Sequence, residues 1–260
     1  MRRAARWLAF AIVGWLVVAY LALPSFWRHY ERLPAMATLP TRTVTPAGLP
    51  GDPLNVAVLG SMEEIVRATA AAGWSPADAI TLRSSLAIAA SVVLHRPDPD
   101  APVSTLLLFG RPQDLAFEQD VGGSARQRHH VRFWKTDVHG DGDAPVWLGA
   151  VTFDRGVGLS HETGQITHHI APDLDAERDG LMRDLEAAGW ITRRYSVTGL
   201  GPTVDGRNGG GDRFYTDGEL AVAVLATTPL AGRRAEVLAP PVPIVIKQQF
   251  WSWIRPALAE

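Results

Sequence analysis

Six of the eight histidines fall between positions 129 and 169: His129, His130, His139, His161, His168 and His169. Imidazole titrates near neutrality, so it can act as acid, base or neutral metal ligand. Arg132, Asp154 and Arg155 lie in the same stretch. Imidazoles with a carboxylate can hold zinc or a similar divalent ion without a thiolate, which matters here because the chain has no cysteine. Imidazole beside guanidinium can instead grip a phosphate, with histidine as acid or base. The compact H-E-x-x-H zinc motif is absent, so any site must be assembled from separate elements.

Those elements read as strands. In "RQRHHVRFW" (126–134) and "ITHHI" (166–170), neighbouring side chains point to opposite faces. His129 then shares a face with Val131 and Phe133, and His130 shares the other with Arg132 and Trp134. His168 falls with Ile166 and Ile170, and His169 with Thr167. A doublet therefore cannot be one site by itself. The alternation predicts that His130, Arg132, Asp154 and His169 converge as a catalytic or phosphate-gripping group, and that His130, His161 and His169 are the metal ligands. The plain alternative is a set of hydrogen-bonded histidines at half-buried strand positions. Arg111, Gln113 and Asp114 follow a strand directly and, with Arg155, are candidate ligand contacts; the first three equally suit a turn capped by Asp114. "DVHGDGD" (137–143) begins like a calcium loop, but Leu148 occupies the position where a bidentate Glu is needed, so it reads as a hairpin turn. "GRNGGGD" (206–212) precedes a strand and lacks the helix N-terminus of a phosphate cradle, so it reads as a flexible loop.

Two stretches repeat one pattern. "LNVAVLGSMEEIVRATAAAGW" (54–74) and "THHIAPDLDAERDGLMRDLEAAGW" (167–190) each read as strand, capping residue, acidic first turn, helix and Gly-Trp. Ser61 with Glu64 forms a capping box, and Gly73 and Gly189 suit the left-handed residue after a helix. The pattern fits duplicated βα units, and equally any two well-capped strand–helix units. "VSTLLLFG" (103–110) reads as a buried strand and "SSLAIAASVVL" (84–94) as a helix. Residues 129–135 pair with 144–155, and 190–200 with 213–226. Hairpins mixed with a few helices predict an α+β domain with a mixed or antiparallel sheet.

"WLAFAIVGWLVVAYLAL" (7–23) has no charge and spans about 25 Å at roughly 1.5 Å per residue, enough for a bilayer core. Arg2, Arg3 and Arg6 precede it. The positive-inside rule then predicts a single-pass anchor in the inner (cytoplasmic) membrane, with the N-terminus in the cytoplasm and the C-terminal domain in the periplasm. A signal peptide cleaved after Ala35-Met36-Ala37, or a core helix, are the alternatives. The expected divisions are 1–33 for the Arg-bearing start and anchor, 34–53 for a Pro/Thr-rich linker, 54–228 for the globular domain and 229–260 for a C-terminal extension. "IVIKQQFWSWIRPALAE" in that extension is either an amphipathic helix on the membrane or a helix packed on the domain. The net charge of −2 gives no support for nucleic acid as a partner. The partners left are the membrane lipid bilayer and a membrane or secretion-system protein.

"TLRSSLAIAASVVLHRP", "LLLFGRPQDLAFEQDVG", "RHHVRFW", "FDRGVGLSHETGQITHHIAPDLDAERD" and the "AAGW" turns together resemble the LssY C-terminal domain family, over roughly residues 53–227. That family takes its name from a protein encoded with a type I secretion system. In it the domain often follows a multi-span segment similar to phosphatidic-acid phosphatases. The resemblance implies membrane and envelope association, with no established activity for the domain itself. This chain has one apolar span and no multi-span segment, so lipid phosphatase activity does not carry over. The expected function is an accessory or binding module for a phosphorylated lipid or membrane partner; the alternative is a metal- or His-dependent hydrolase of phosphate or ester bonds.

Overall fold

A computed structural model of the chain describes residues 2–26, 39–77, 105–121, 124–162, 164, 166–198, 204–232 and 234–259. Two units are distinct, residues 1–39 and 40–260. In the first, α1 (Arg2–Val17) continues through a π-helical turn, Val18–Ala22. Residues Arg3–Phe26 form one helix of 24 residues, mean hydropathy 2.1, long and apolar enough to cross a membrane. A signal sequence has the same character.

The second unit is α+β. Its large sheet runs β13-β9-β12-β3-β7-β6-β5-β4, with β8 also paired to β7. These strands are β3 (Val56–Leu59), β4 (Ser75–Pro76), β5 (Leu115–Val121), β6 (Ser124–His139), β7 (Pro145–Leu159), β8 (Ile166–Ile170), β9 (Ile191–Thr198), β12 (Glu219–Leu225) and β13 (Glu236–Val237). The β12–β3 and β13–β9 pairs are parallel and the others antiparallel. The predicted 129–135/144–155 hairpin is the long β6–β7 pair, closed by a 3-10 turn at Asp141–Asp143. The second predicted pair is β9 with β12; Arg213–Thr216 is instead a separate strand, β11, paired with β10 (Val204–Arg207).

Helices α2 (Met62–Ala71) and α3 (Leu174–Ala187) cover one face. Both recurring units form as read. Ser61 and Glu64 make a reciprocal capping box, and Asp173 accepts from the Ala176 amide. Gly73 and Gly189 close the helices at φ +83° and +76°, where a side chain would be strained. The tryptophans that follow turn inward, and the Trp74 indole donates to Asp184 of α3 at 3.1 Å, so the first unit packs on the second. The core between helices and sheet holds Ile65, Leu181, Leu185, Phe117, Val131, Phe133 and Val151, among others. Each such side chain contributes about 1.5–3 kcal/mol on leaving water.

The expected linker is corrected from residue 42 onward. Arg42–Val44 (β1) and Pro50–Pro53 (β2) form an antiparallel hairpin, with Thr43 and Asp52 buried. Proline and threonine suggested an open chain, but the Thr43 hydroxyl bonds the Asp52 carbonyl at 3.0 Å and Leu107 bridges to Val44. Residues 34–38 and the helix expected at 84–94 lie outside the described residues. Of the expected strand 103–110, the described part makes only isolated bridges at Leu107 and Leu108, because Phe109 and Gly110 turn the chain at positive φ.

The C-terminal segment forms α4 (Val242–Leu258) and packs on the domain. Ile244 and Trp251 are buried, the Trp251 indole donates to Asp175 at 2.7 Å, and Lys247 pairs with Glu219 at 2.9 Å. Beneath them Arg178 joins Asp217 through two bonds of 2.7 and 3.2 Å. Val242, Ile246, Phe250 and Trp253 line the opposite side of α4 and are 58–76% exposed.

Candidate functional site

Pairing β6 with β7 sorts the histidine doublet as the alternation predicts. His129 lies on the helix-covered face, 5.0 Å from the Phe153 ring, and contacts Glu177 of α3 at 2.5 Å; that bond raises its pKa above the ordinary value. Arg128, His130 and Arg132 lie on the other face with Thr152 and Asp154 of β7 and Glu118 of β5, all buried. Arg128 bonds Glu118 at 2.9 Å and approaches Asp154 at 3.6 Å. Arg132 lies 3.7 Å from Asp52 of the β1–β2 hairpin.

A cavity of about 500 Å³ opens over this face. Arg132, Thr152, Asp154 and His168 line its sheet side, and Asp52 and Asn208 its roof. Asn208 reaches Asp52 at 3.1 Å, tying the β10–β11 turn to the β1–β2 hairpin. The glycine-rich stretch expected to be a flexible loop is thus an ordered turn, held by Asn208 accepting the amides of Gly210 and Asp212. An Asx-type bond of this kind is a normal turn former.

Burial sets the protonation of the group. Asp154 is pushed up to about 6, because loss of water outweighs the nearby Arg132 and Arg128. Asp52 is raised for the same reason, against Arg132. His130 is held well below its ordinary value by burial and then by Arg132, Arg128 and His168, so it is neutral. The arginines cannot lose their charge. Burial thus shifts both carboxyls toward the protonated form, while the guanidinium charge is fixed.

Of the predicted site residues, His130, Arg132 and Asp154 come together. His130 does not line the cavity; it is 1% exposed and neither ring nitrogen has a hydrogen-bond partner among the described residues. His130 thus stands behind the cavity wall, with Asp154 3.9 Å from its Nδ1. His169 is replaced in the cluster by His168, whose Nδ1 lies 3.4 Å from Asp154. His168 shares the face of Ile170, as the alternation predicts. That face is the cavity wall rather than the helix-side core, since Ile170 packs with Leu174 and Phe214 and also lines the cavity. A register shift between Asp154 and Gly156 resets the alternation between β7 and β8. His169 lies elsewhere, with His161 and Asp212.

The other candidates hold structure. Arg111 pairs with Asp114, and the two clamp Lys135, Arg111 donating to its carbonyl and Asp114 accepting its amide. Gln113 does not line the cavity, and neither do they. Arg155 donates to the Ile170 carbonyl at 2.9 Å across the irregular stretch of β7–β8. Sequence reasoning missed Arg128, Glu118, His168, Asp52 and Asp212. Arg128 was legible, two positions before His130 on a strand. Asp52 carried no signal, sitting among prolines and glycines.

Fold and site together define an α+β domain with an open cavity of mixed polar and apolar lining, in a chain that also carries an apolar helix able to cross a membrane. The sequence profile described as LssY C-terminus matches residues 36–220, well over half the chain, and the chain belongs to that family. No curated protein and no solved structure matches it.

Proposed function

We propose that this is a membrane-anchored binding module whose cavity takes a ligand bearing a phosphate or similar anionic group. One observation carries this reading: Arg132 and His168 border a 500 Å³ cavity whose acidic neighbours, Asp52 and Asp154, are the groups driven toward neutrality. A neutral carboxyl donates a hydrogen bond to a phosphate oxygen where a carboxylate would repel it. The hydroxyls of Thr45, Thr152 and Ser160 add donors around the wall. The Arg3–Phe26 helix, long and apolar enough to cross a membrane, favours a ligand met at a bilayer. The exposed apolar stripe of α4 is the surface that would rest on that bilayer, its Trp and Phe suited to the interface. A periplasmic position and an envelope partner belong to the same proposal.

The test is calorimetric titration of the detergent-solubilised chain with inorganic phosphate, and flotation with vesicles of phosphatidylcholine with or without phosphatidic acid. Arg132→Gln should abolish binding, and wild-type binding should tighten as the pH falls through about 6, where Asp154 gains its proton. Binding to vesicles but not to free phosphate identifies a lipid headgroup. Failure of both probes, or Arg132→Gln binding as wild type, would sink the reading.

A second reading rests on Asp154 itself. A carboxyl at about 6 contacting an imidazole is poised for acid–base work, as a hydrolase of phosphate or ester bonds requires. Turnover of p-nitrophenyl phosphate or acetate, lost in Asp154→Asn while phosphate still binds, would select it.

A further inference from the structure

His161, His169 and Asp212 form a second cluster, beyond the cavity residues. One ligand atom from each lies within 4.8 Å of the others, and the two imidazoles stand 5.3 Å apart between ring centres. Three separate features hold them. Asp212 is buried, and its Oδ2 accepts the Ile170 amide at 3.2 Å, which fixes the carboxylate plane. His169 crosses β7 at Gly158, where a Cβ would stand 2.6 Å from its Nε2. His161 packs against Gly211, where a Cβ would stand 2.6 Å from its own Cβ, and its amide donates to the Gly210 carbonyl. Larger residues at either glycine would push the imidazoles away.

We propose that His161, His169 and Asp212 bind a divalent transition-metal ion, with zinc the best match. Two imidazoles and a carboxylate are a normal zinc donor set, and bonds of about 2.0–2.2 Å put the donor atoms roughly 3.3–3.5 Å apart. His161 is exposed, so its ring can rotate to close that gap without disturbing the core. His169 Nδ1 and Asp212 Oδ1 stand 2.7 Å apart, closer than two ligands of one ion, so this pair opens slightly to admit it. A three-residue set leaves a fourth position for water or for a ligand atom. The ion also joins the turn after β7 to the β10–β11 turn, whose Asn208 and Gly210 wall the cavity. The proposal does not depend on what the cavity holds.

The experiment uses the full chain, purified in detergent without a histidine tag and stripped with chelator. Zinc is titrated by calorimetry, and cobalt(II) is followed by its visible absorption. One ion per chain is expected, bound about tenfold or more weakly by His161→Ala and by His169→Ala. His139→Ala, an exposed histidine outside the cluster, should bind as wild type. His161 makes no core contact that its loss could unfold, and circular dichroism checks the His169 variant. Absence of saturable zinc binding by wild type, or unaltered binding by His161→Ala, overturns the proposal.

Discussion

Replacing Asp154 by Asn should remove a specific slope from the dependence of stability on pH. The Asp154 side chain is 5% exposed, so solvent screening does little to soften its electrostatics. Its pKa rises from 3.8 to about 6, roughly two units; at 1.36 kcal/mol per unit this is about 3 kcal/mol. The sign follows from linkage. Below pH 3.8 the carboxyl is protonated in both states and costs nothing. Between 3.8 and about 6 the folded chain keeps a proton that the unfolded chain has released, so stability falls as pH rises, and above 6 the loss is complete. The Asn variant carries a constant offset from altered hydrogen bonding but no titration. Its stability relative to wild type should therefore improve by about 3 kcal/mol from pH 4 to pH 7. Asp175 and Glu219, also raised by burial, contribute equally to both proteins and cancel in the difference. Urea unfolding in non-ionic detergent, followed by tryptophan fluorescence, measures it, because Trp134 and Trp147 are fully buried. A difference independent of pH, or one of opposite slope, would mean that Arg128 and Arg132 win over desolvation and that Asp154 is an ordinary ion-pair partner.

Trp251→Ala should destabilise the domain by about 3–5 kcal/mol, since it empties a buried site and leaves Asp175 short of a donor; thermal unfolding and faster proteolysis within α4 would report it. Gly149→Ala should cost about 1–3 kcal/mol, because a Cβ there stands 2.7 Å from Val56 and 2.8 Å from Phe133, both rigid core side chains; an unchanged melting temperature would contradict the packing. The chain has no cysteine, so Trp253→Cys offers a single spin-label site. In reconstituted vesicles the label should relax faster with a lipid-borne than with a water-borne quencher if α4 rests on the bilayer.

Local rules carried the sequence reading far where one element decided the outcome. The capping box at Ser61, the Gly-Trp turns and the β6–β7 hairpin all follow from neighbours within a few residues, and all form. The face assignment of His129 against His130 needed only period-two alternation. The reading failed where a contact between distant segments decided. Asp52 belongs to the site because the β1–β2 hairpin folds over the sheet, and proline-rich sequence gives no sign of that. His168 displaced His169 because a register shift in β7 changed which side of β8 faces Asp154, and a shift of one residue exchanges the two faces. Asp212 was hidden in a glycine run whose order comes from Asn208, a side-chain bond that composition does not show.

The two faces of β6 pose one physical question. Its helix-side residues, Val131 and Phe133, are wholly apolar in contact, while Arg128, His130 and Arg132 alternate with them and are just as buried. Replacing a buried ion-pair cluster by packed hydrocarbon is often neutral or stabilising, so this arrangement is not explained by stability. Within it, neither ring nitrogen of His130 has a hydrogen-bond partner among the described residues. The cluster borders the cavity through Arg132, Asp154 and His168. Buried charge also occurs beneath α4, where Arg178 bonds Asp175 and Asp217 and Lys247 bonds Glu219; the cluster on β6 borders a cavity, as a site that departs from local rules would. The proposal of an anionic ligand rests on that setting: Arg132 borders the cavity while burial shifts the Asp52 and Asp154 carboxyls toward their protonated forms.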